Sequence, residues 1–143
     1  MTQTTAPDRR SGQCLCGAVR FTAVPDGGMH ACHCSFCRRW SGGVFLSVEC
    51  GDSVEVEDPT ALQTFVSSEW AERQSCRTCG SSLFWRMRDG GLTAVSIQAF
   101  DDPSAFGFED EIFIDHKPSN YAFAGDRPRL TGEEVFARFP AGD

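Results

Sequence analysis

The sequence has no long hydrophobic run. Its uninterrupted apolar stretches span only a few residues, far below the ~20 that a membrane-crossing helix needs. It also lacks positive charge. Thirteen Lys and Arg stand against 20 Asp and Glu, a formal net charge of −7. That balance argues against nucleic acid and anionic membrane surfaces as main partners. The first ten residues hold no apolar stretch of the secretory kind, so the expected compartment is the reducing cytoplasm.

Several chemistries are missing as well. No G-x-G-x-x-G or G-x-x-x-x-G-K-[ST] phosphate loop occurs. A zinc deaminase would show H-x-E and P-C-x-x-C. Here His30 is followed by Ala31 and Cys32, and Ser75 precedes Cys76. The Cys76-x-x-Cys79 pair lacks the βαβ surroundings of a thioredoxin-type motif.

What is present points to one folded domain. The chain has 143 residues, 41% hydrophobic and 23% charged, with 12 Phe and 3 Trp to fill a core. Residues 1–11 read as a polar, flexible arm, and residues 12–139 as a single domain. Alternation predicts strands at 13–24, 44–48, 54–57, 62–67, 82–87, 92–99 and 111–114. Within the first of these, Leu15, Val19, Phe21 and Ala23 share the inward parity. Residues 25–28 predict a turn, 35–40 a helical turn, 68–73 a polar stretch, 101–110 a loop and 133–139 a short helix. Many short strands with little helix predict a mainly β fold, a sandwich or open barrel.

Eight cysteines are the informative feature, and seven fall into three groups. Cys14-x-Cys16 lies on the predicted first strand, where residues two apart face one side. Cys76-x-x-Cys79-Gly80 has the knuckle spacing of zinc ribbons. Together these four thiolates make a closed tetrahedral site that staples distant parts of the chain. Cys32-x-Cys34-x-x-Cys37 can reach a single zinc alone. Three protein ligands leave a fourth position for water or a substrate thiolate, as a catalytic zinc requires. Two Zn²⁺ per chain are expected, one structural and one catalytic. The alternative is a closed second site, with Cys50, His30, His33 or His116 as fourth ligand. His33 has the opposite strand parity to Cys32 and Cys34 and points away from their metal. Cys50, alone beside Gly51, reads as a small core residue.

Thiolate sites need cations. Four thiolates with Zn²⁺ carry −2, and three carry −1. Arg38 and Arg39 follow Cys37, while Arg73 and Arg77 flank Cys76. Arg38 is the first candidate, one residue from a ligand.

The runs from Gly12 to Phe21, from Cys32 to Arg38 and from Arg73 to Ser81 resemble the glutathione-dependent formaldehyde-activating enzyme (Gfa/CENP-V) family. The resemblance extends from about Gly12 to Tyr121. It implies a zinc-stapled β fold of the Mss-four-like type. It implies a structural zinc on Cys14, Cys16, Cys76 and Cys79 and a catalytic zinc on Cys32, Cys34 and Cys37. It implies a carbon–sulfur lyase that joins formaldehyde to glutathione, giving S-(hydroxymethyl)glutathione. Arg38, Arg39 or Lys117 would anchor the carboxylates of such a thiol. One position departs from the family pattern: Asn120 stands where members often carry Trp before Tyr121. The competing hypothesis is a non-catalytic scaffold or interaction module with two structural zincs.

Overall fold

A computed structural model describes residues 8–138. Among the described residues, eleven strands form two sheets. In chain order they are β1 (Arg10–Gln13), β2 (Arg20–Ala23), β3 (Asp26–Cys32), β4 (Phe45–Glu49), β5 (Glu55–Val56), β6 (Leu62–Val66), β7 (Ala71–Cys76), β8 (Ser82–Met87), β9 (Thr93–Ser96), β10 (Phe108–Ile112) and β11 (Arg129–Leu130). Helix α1 (Ser35–Ser41) follows β3, and α2 (Gly132–Arg138) ends the described chain. The small sheet runs β1-β2-β5, and the large one β11-β10-β3-β4-β9-β8-β7-β6. The mainly β architecture is as expected. Among the described residues, no helix is long and apolar enough to cross a membrane.

The core lies between the sheets. Phe21 and Ala23 from the small sheet, with Val19 just before β2, meet Val48, Phe84 and Val95 from the large one. Phe21 packs edge-on against Phe84 and Phe100, with ring centroids 5.1 and 5.4 Å apart. The packing explains Gly12. A Cβ there would sit 2.4 Å from the Ala99 carbonyl oxygen and 2.6 Å from the Phe21 ring.

Some boundaries differ from the sequence reading, each for a local reason. The predicted strand over 13–24 is a hairpin, β1 and β2 paired antiparallel. Gly17 N–H bonds the Cys14 carbonyl, which turns the chain between them. Leu15 therefore projects outward at 86% exposure rather than into the core. Arg10 and Ser11, read as part of the arm, open β1, and residues 1–7 lie outside the described residues. The predicted turn at 25–28 is the irregular start of β3, where pairing with β4 shifts between Asp26 and Met29. The polar stretch before Arg73 hides β7, a strand paired on both edges. Phe108 to Asp110, read as loop, belong to β10, parallel to β3. The predicted helix at 133–139 is α2, and Phe139 lies outside the described residues.

Register decides which residues share a face. Cys32 pairs with Phe45 on one side and Ile112 on the other. These three lie on the face away from the core, because Ala31 and Leu46 pair one step along and turn inward. A second, smaller apolar cluster forms on that outer face. It comprises Cys32, Cys37 and Phe45, with Cys34, Trp40, Trp85, Ile112 and Phe113 against it.

Candidate functional site

Two hairpin loops build the first cysteine group. The β1–β2 loop presents Cys14 and Cys16, the end of β7 presents Cys76 and the β7–β8 loop presents Cys79. All four sulfurs lie within 4.8 Å of one another. Cys16 Sγ is 3.7 Å from Cys14 Sγ and 3.7 Å from Cys76 Sγ. A tetrahedral zinc with Zn–S near ~2.3 Å has sulfur–sulfur edges of ~3.8 Å. The donor set therefore fits such an ion. Backbone donors aim at the sulfurs: Val19 N–H reaches Cys14 Sγ at 3.2 Å, and Thr78 and Cys79 N–H both reach Cys76 Sγ at 3.3 Å. Hydrogen bonds of this kind favour thiolate over thiol. Side-chain and backbone contacts with Ser81 bring the Cys79 thiol down to about 5. Gly80, at φ +82°, closes the knuckle in a conformation that disfavours other residues. The expected i, i+2 strand geometry for Cys14 and Cys16 is replaced by this turn.

The second group is held by the end of β3 and the start of α1. Cys32, Cys34 and Cys37 bring their sulfurs within 4.8 Å of one another. Among the described residues, no fourth His, Cys, Asp or Glu joins them. Cys34 caps α1, its sulfur accepting the Cys37 N–H at 3.3 Å where a Ser or Asp oxygen is usual. Contacts with the Cys32 and Cys37 thiols hold Cys34 at about 2, and the contacts of Cys34 and Cys37 push Cys32 well above 9. Metal binding requires the thiolate forms of all three. Both groups can hold a metal ion.

His33 faces away from the thiols, as its parity predicts. Its ring is fully buried, with Nδ1 2.8 Å from the Tyr121 hydroxyl and Nε2 2.8 Å from Glu111 Oε1. Arg127 and Arg129 donate to Glu111 Oε2 at 2.7 and 3.1 Å. Burial alone would raise the Glu111 carboxyl. Hydrogen bonds from His33, Arg127 and Arg129 outweigh it and hold the group below 4.5. This network ties the segment around Tyr121 to the backbone between Cys32 and Cys34. Glu111, Arg127 and Arg129 carry no signal in the sequence, since 78 to 96 residues separate them from His33 and the parallel pairing of β10 with β3 and β11 brings them together.

Arg38 is half-buried and donates its Nε to the His33 carbonyl at 3.0 Å. Arg39 is exposed. Lys117 turns onto the carbonyls of Pro118 and Tyr121. Arg77 binds the Thr60 and Leu62 carbonyls, fastening the knuckle to the start of β6. Arg73 flanks Cys76 in sequence yet serves the other group. Three residues apart on a strand, they face opposite sides, and Arg73 Nη1 lies 3.5 Å from Cys37 Sγ. Cys50, 2% exposed, belongs to the main core and to neither group. His30 pairs with Asp110 at 2.7 Å.

Comparison with known proteins agrees with this architecture. A Schizosaccharomyces pombe protein named an uncharacterized lyase is 29% identical over 126 residues, 87% of this chain and 92% of that protein. The crystal structure of a Rhodobacter sphaeroides protein superposes with a TM-score of 0.57 at 24% identity, covering 66% of this chain and 93% of that one, and shares the fold. The family profile described as "Glutathione-dependent formaldehyde-activating enzyme" matches residues 9–116, which contain all seven clustered cysteines. The chain belongs to the glutathione-dependent formaldehyde-activating enzyme family.

Proposed function

We propose that this protein is a zinc-dependent carbon–sulfur lyase acting on a thiol, such as glutathione, and a small carbonyl compound. Cys14, Cys16, Cys76 and Cys79 hold a structural zinc, and Cys32, Cys34 and Cys37 hold a catalytic one. The observation that carries the reading is the second cysteine group. Its three sulfurs converge, and no fourth protein donor among the described residues joins them.

Zinc bound by three thiolates supplies a coordination position for a fourth sulfur and favours its thiolate near neutral pH. The net reaction forms a bond between the thiol sulfur and the carbonyl carbon. The thiol proton ends on the former carbonyl oxygen, and the reverse reaction breaks the same bond. The chain supplies the frame. β3 fixes Cys32, α1 fixes Cys37, and Cys34 joins the two at the helix cap. Trp40, Phe45 and Trp85 pack against the group and limit water on that side. Arg38, tethered by its Nε to the His33 carbonyl, keeps its terminal nitrogens for a carboxylate of the thiol. The S. pombe relative's name supports a lyase, and the family supports the thiol.

Exchange NMR on glutathione and formaldehyde tests the proposal, because it sees catalysis above a fast spontaneous background. The protein is expected to accelerate interconversion of free thiol and hydroxymethyl adduct. If neither this pair nor a panel of other thiols and aldehydes is accelerated, the scaffold hypothesis replaces the enzyme.

A further inference from the structure

Arg73 is buried, 6% exposed, on the outer face of β7. Its guanidinium lies 5.1 Å from the Trp40 ring centroid and 5.9 Å from that of Phe36. Its Nε is buried without a hydrogen-bond partner. Among the described residues it forms no salt bridge, and the neighbouring Glu72 is taken by Arg86 at 3.0 Å. A guanidinium out of water with an unpaired donor is costly, and an opposing charge has to offset it. Among the described residues its hydrogen-bond acceptor is sulfur, the Cys37 Sγ, 3.5 Å from Nη1, a thiolate whenever the group holds a metal.

We propose that Arg73 is the cation that equips the Cys32, Cys34 and Cys37 centre to take a fourth, anionic sulfur. The inference rests on the reading of that centre as an open thiol site. Three thiolates and a dication sum to −1, and an added thiolate brings −2. Arg73 returns the total to −1 at short range in a dehydrated setting, where charge acts strongly. Trp40 and Phe36 hold the guanidinium in place by stacking. Arg73 is thus a positioning residue that selects the charge of the incoming ligand. A neutral donor gains little from it.

The test uses full-length protein loaded with cobalt(II), titrated at one pH with 2-mercaptoethanol and, separately, with imidazole. The near-ultraviolet sulfur-to-cobalt band and the visible bands report each ligand. Arg73→Gln is expected to retain its cobalt, weaken thiol binding at least about tenfold, and leave imidazole binding unchanged. Arg73→Lys is expected to fall between the two. If thiol and imidazole weaken together, or neither changes, Arg73 serves packing alone and the proposal fails. If Arg73→Gln does not fold, Arg73→Lys decides. Weakened thiol binding with imidazole binding unchanged supports the proposal, and both weakened together or neither changed overturns it. If the wild-type protein loads two cobalt ions yet binds no thiol, the open-site reading itself fails and takes this inference with it.

Discussion

Cys76→Ser is expected to unfold the domain or to lower its melting temperature by at least about 10 °C, with loss of one metal equivalent. Cys76 is 2% exposed inside the main core. Its sulfur takes two backbone N–H bonds and faces Cys16, 60 residues earlier. Binding of structural zinc by small domains is worth about 10–16 kcal/mol, comparable with the whole stability of a domain, about 5–15 kcal/mol. Loss of one of four ligands forfeits only part of that binding. A few kcal/mol still shifts melting by roughly 10 °C at this size. The link also closes a long loop between the small sheet and the β7–β8 hairpin, where a cross-link constrains the unfolded chain most. Thermal denaturation with metal analysis checks this. A soluble Cys76→Ser protein as heat-resistant as the wild type would show that the four cysteines are no staple.

The second group should behave in the opposite way. Cys34→Ala is expected to stay folded, lose about one metal equivalent, and lose thiol-dependent carbonyl chemistry by about three orders of magnitude. The main core does not include Cys34. The structural cost is chiefly the lost cap on α1, about 1 kcal/mol. The chemical cost is larger, since activating a nucleophile on a metal contributes several kcal/mol to the barrier, and about 4 kcal/mol is three decades in rate. Exchange NMR and metal analysis on the same sample separate the two effects. An active Cys34→Ala protein with two metal ions contradicts the catalytic assignment, and an unfolded one makes the second group structural.

The seven ligand candidates were legible because cysteine spacing is local and thiols are rare. The alternation of Val19, Phe21 and Ala23 was legible too, since one face of β2 is buried and the other is not. Leu15 broke the pattern because the chain turns between Cys14 and Gly17, and that turn sets its direction rather than hydrophobic parity. β7 was hidden because Glu72, Arg73 and Gln74 give no apolar alternation. Its Arg73 faces a sulfur cluster and an aromatic face, a partnership across 36 residues that only sheet register sets. The Glu111 network was invisible for the same reason. A parallel pairing of β10 with β3 brings a late carboxylate to an early histidine, and no local pattern records it.

A second metal centre that accepts a thiol as its fourth ligand separates an enzyme from a scaffold. Zinc K-edge absorption spectroscopy on the wild-type protein, with and without added thiol, tests it most directly. One closed four-sulfur site and one open three-sulfur site average about 3.5 sulfurs per zinc at two zinc ions per chain. That value is expected without thiol, and four when thiol is added. A sulfur count already at four without thiol, or one unmoved by it, would contradict the claim.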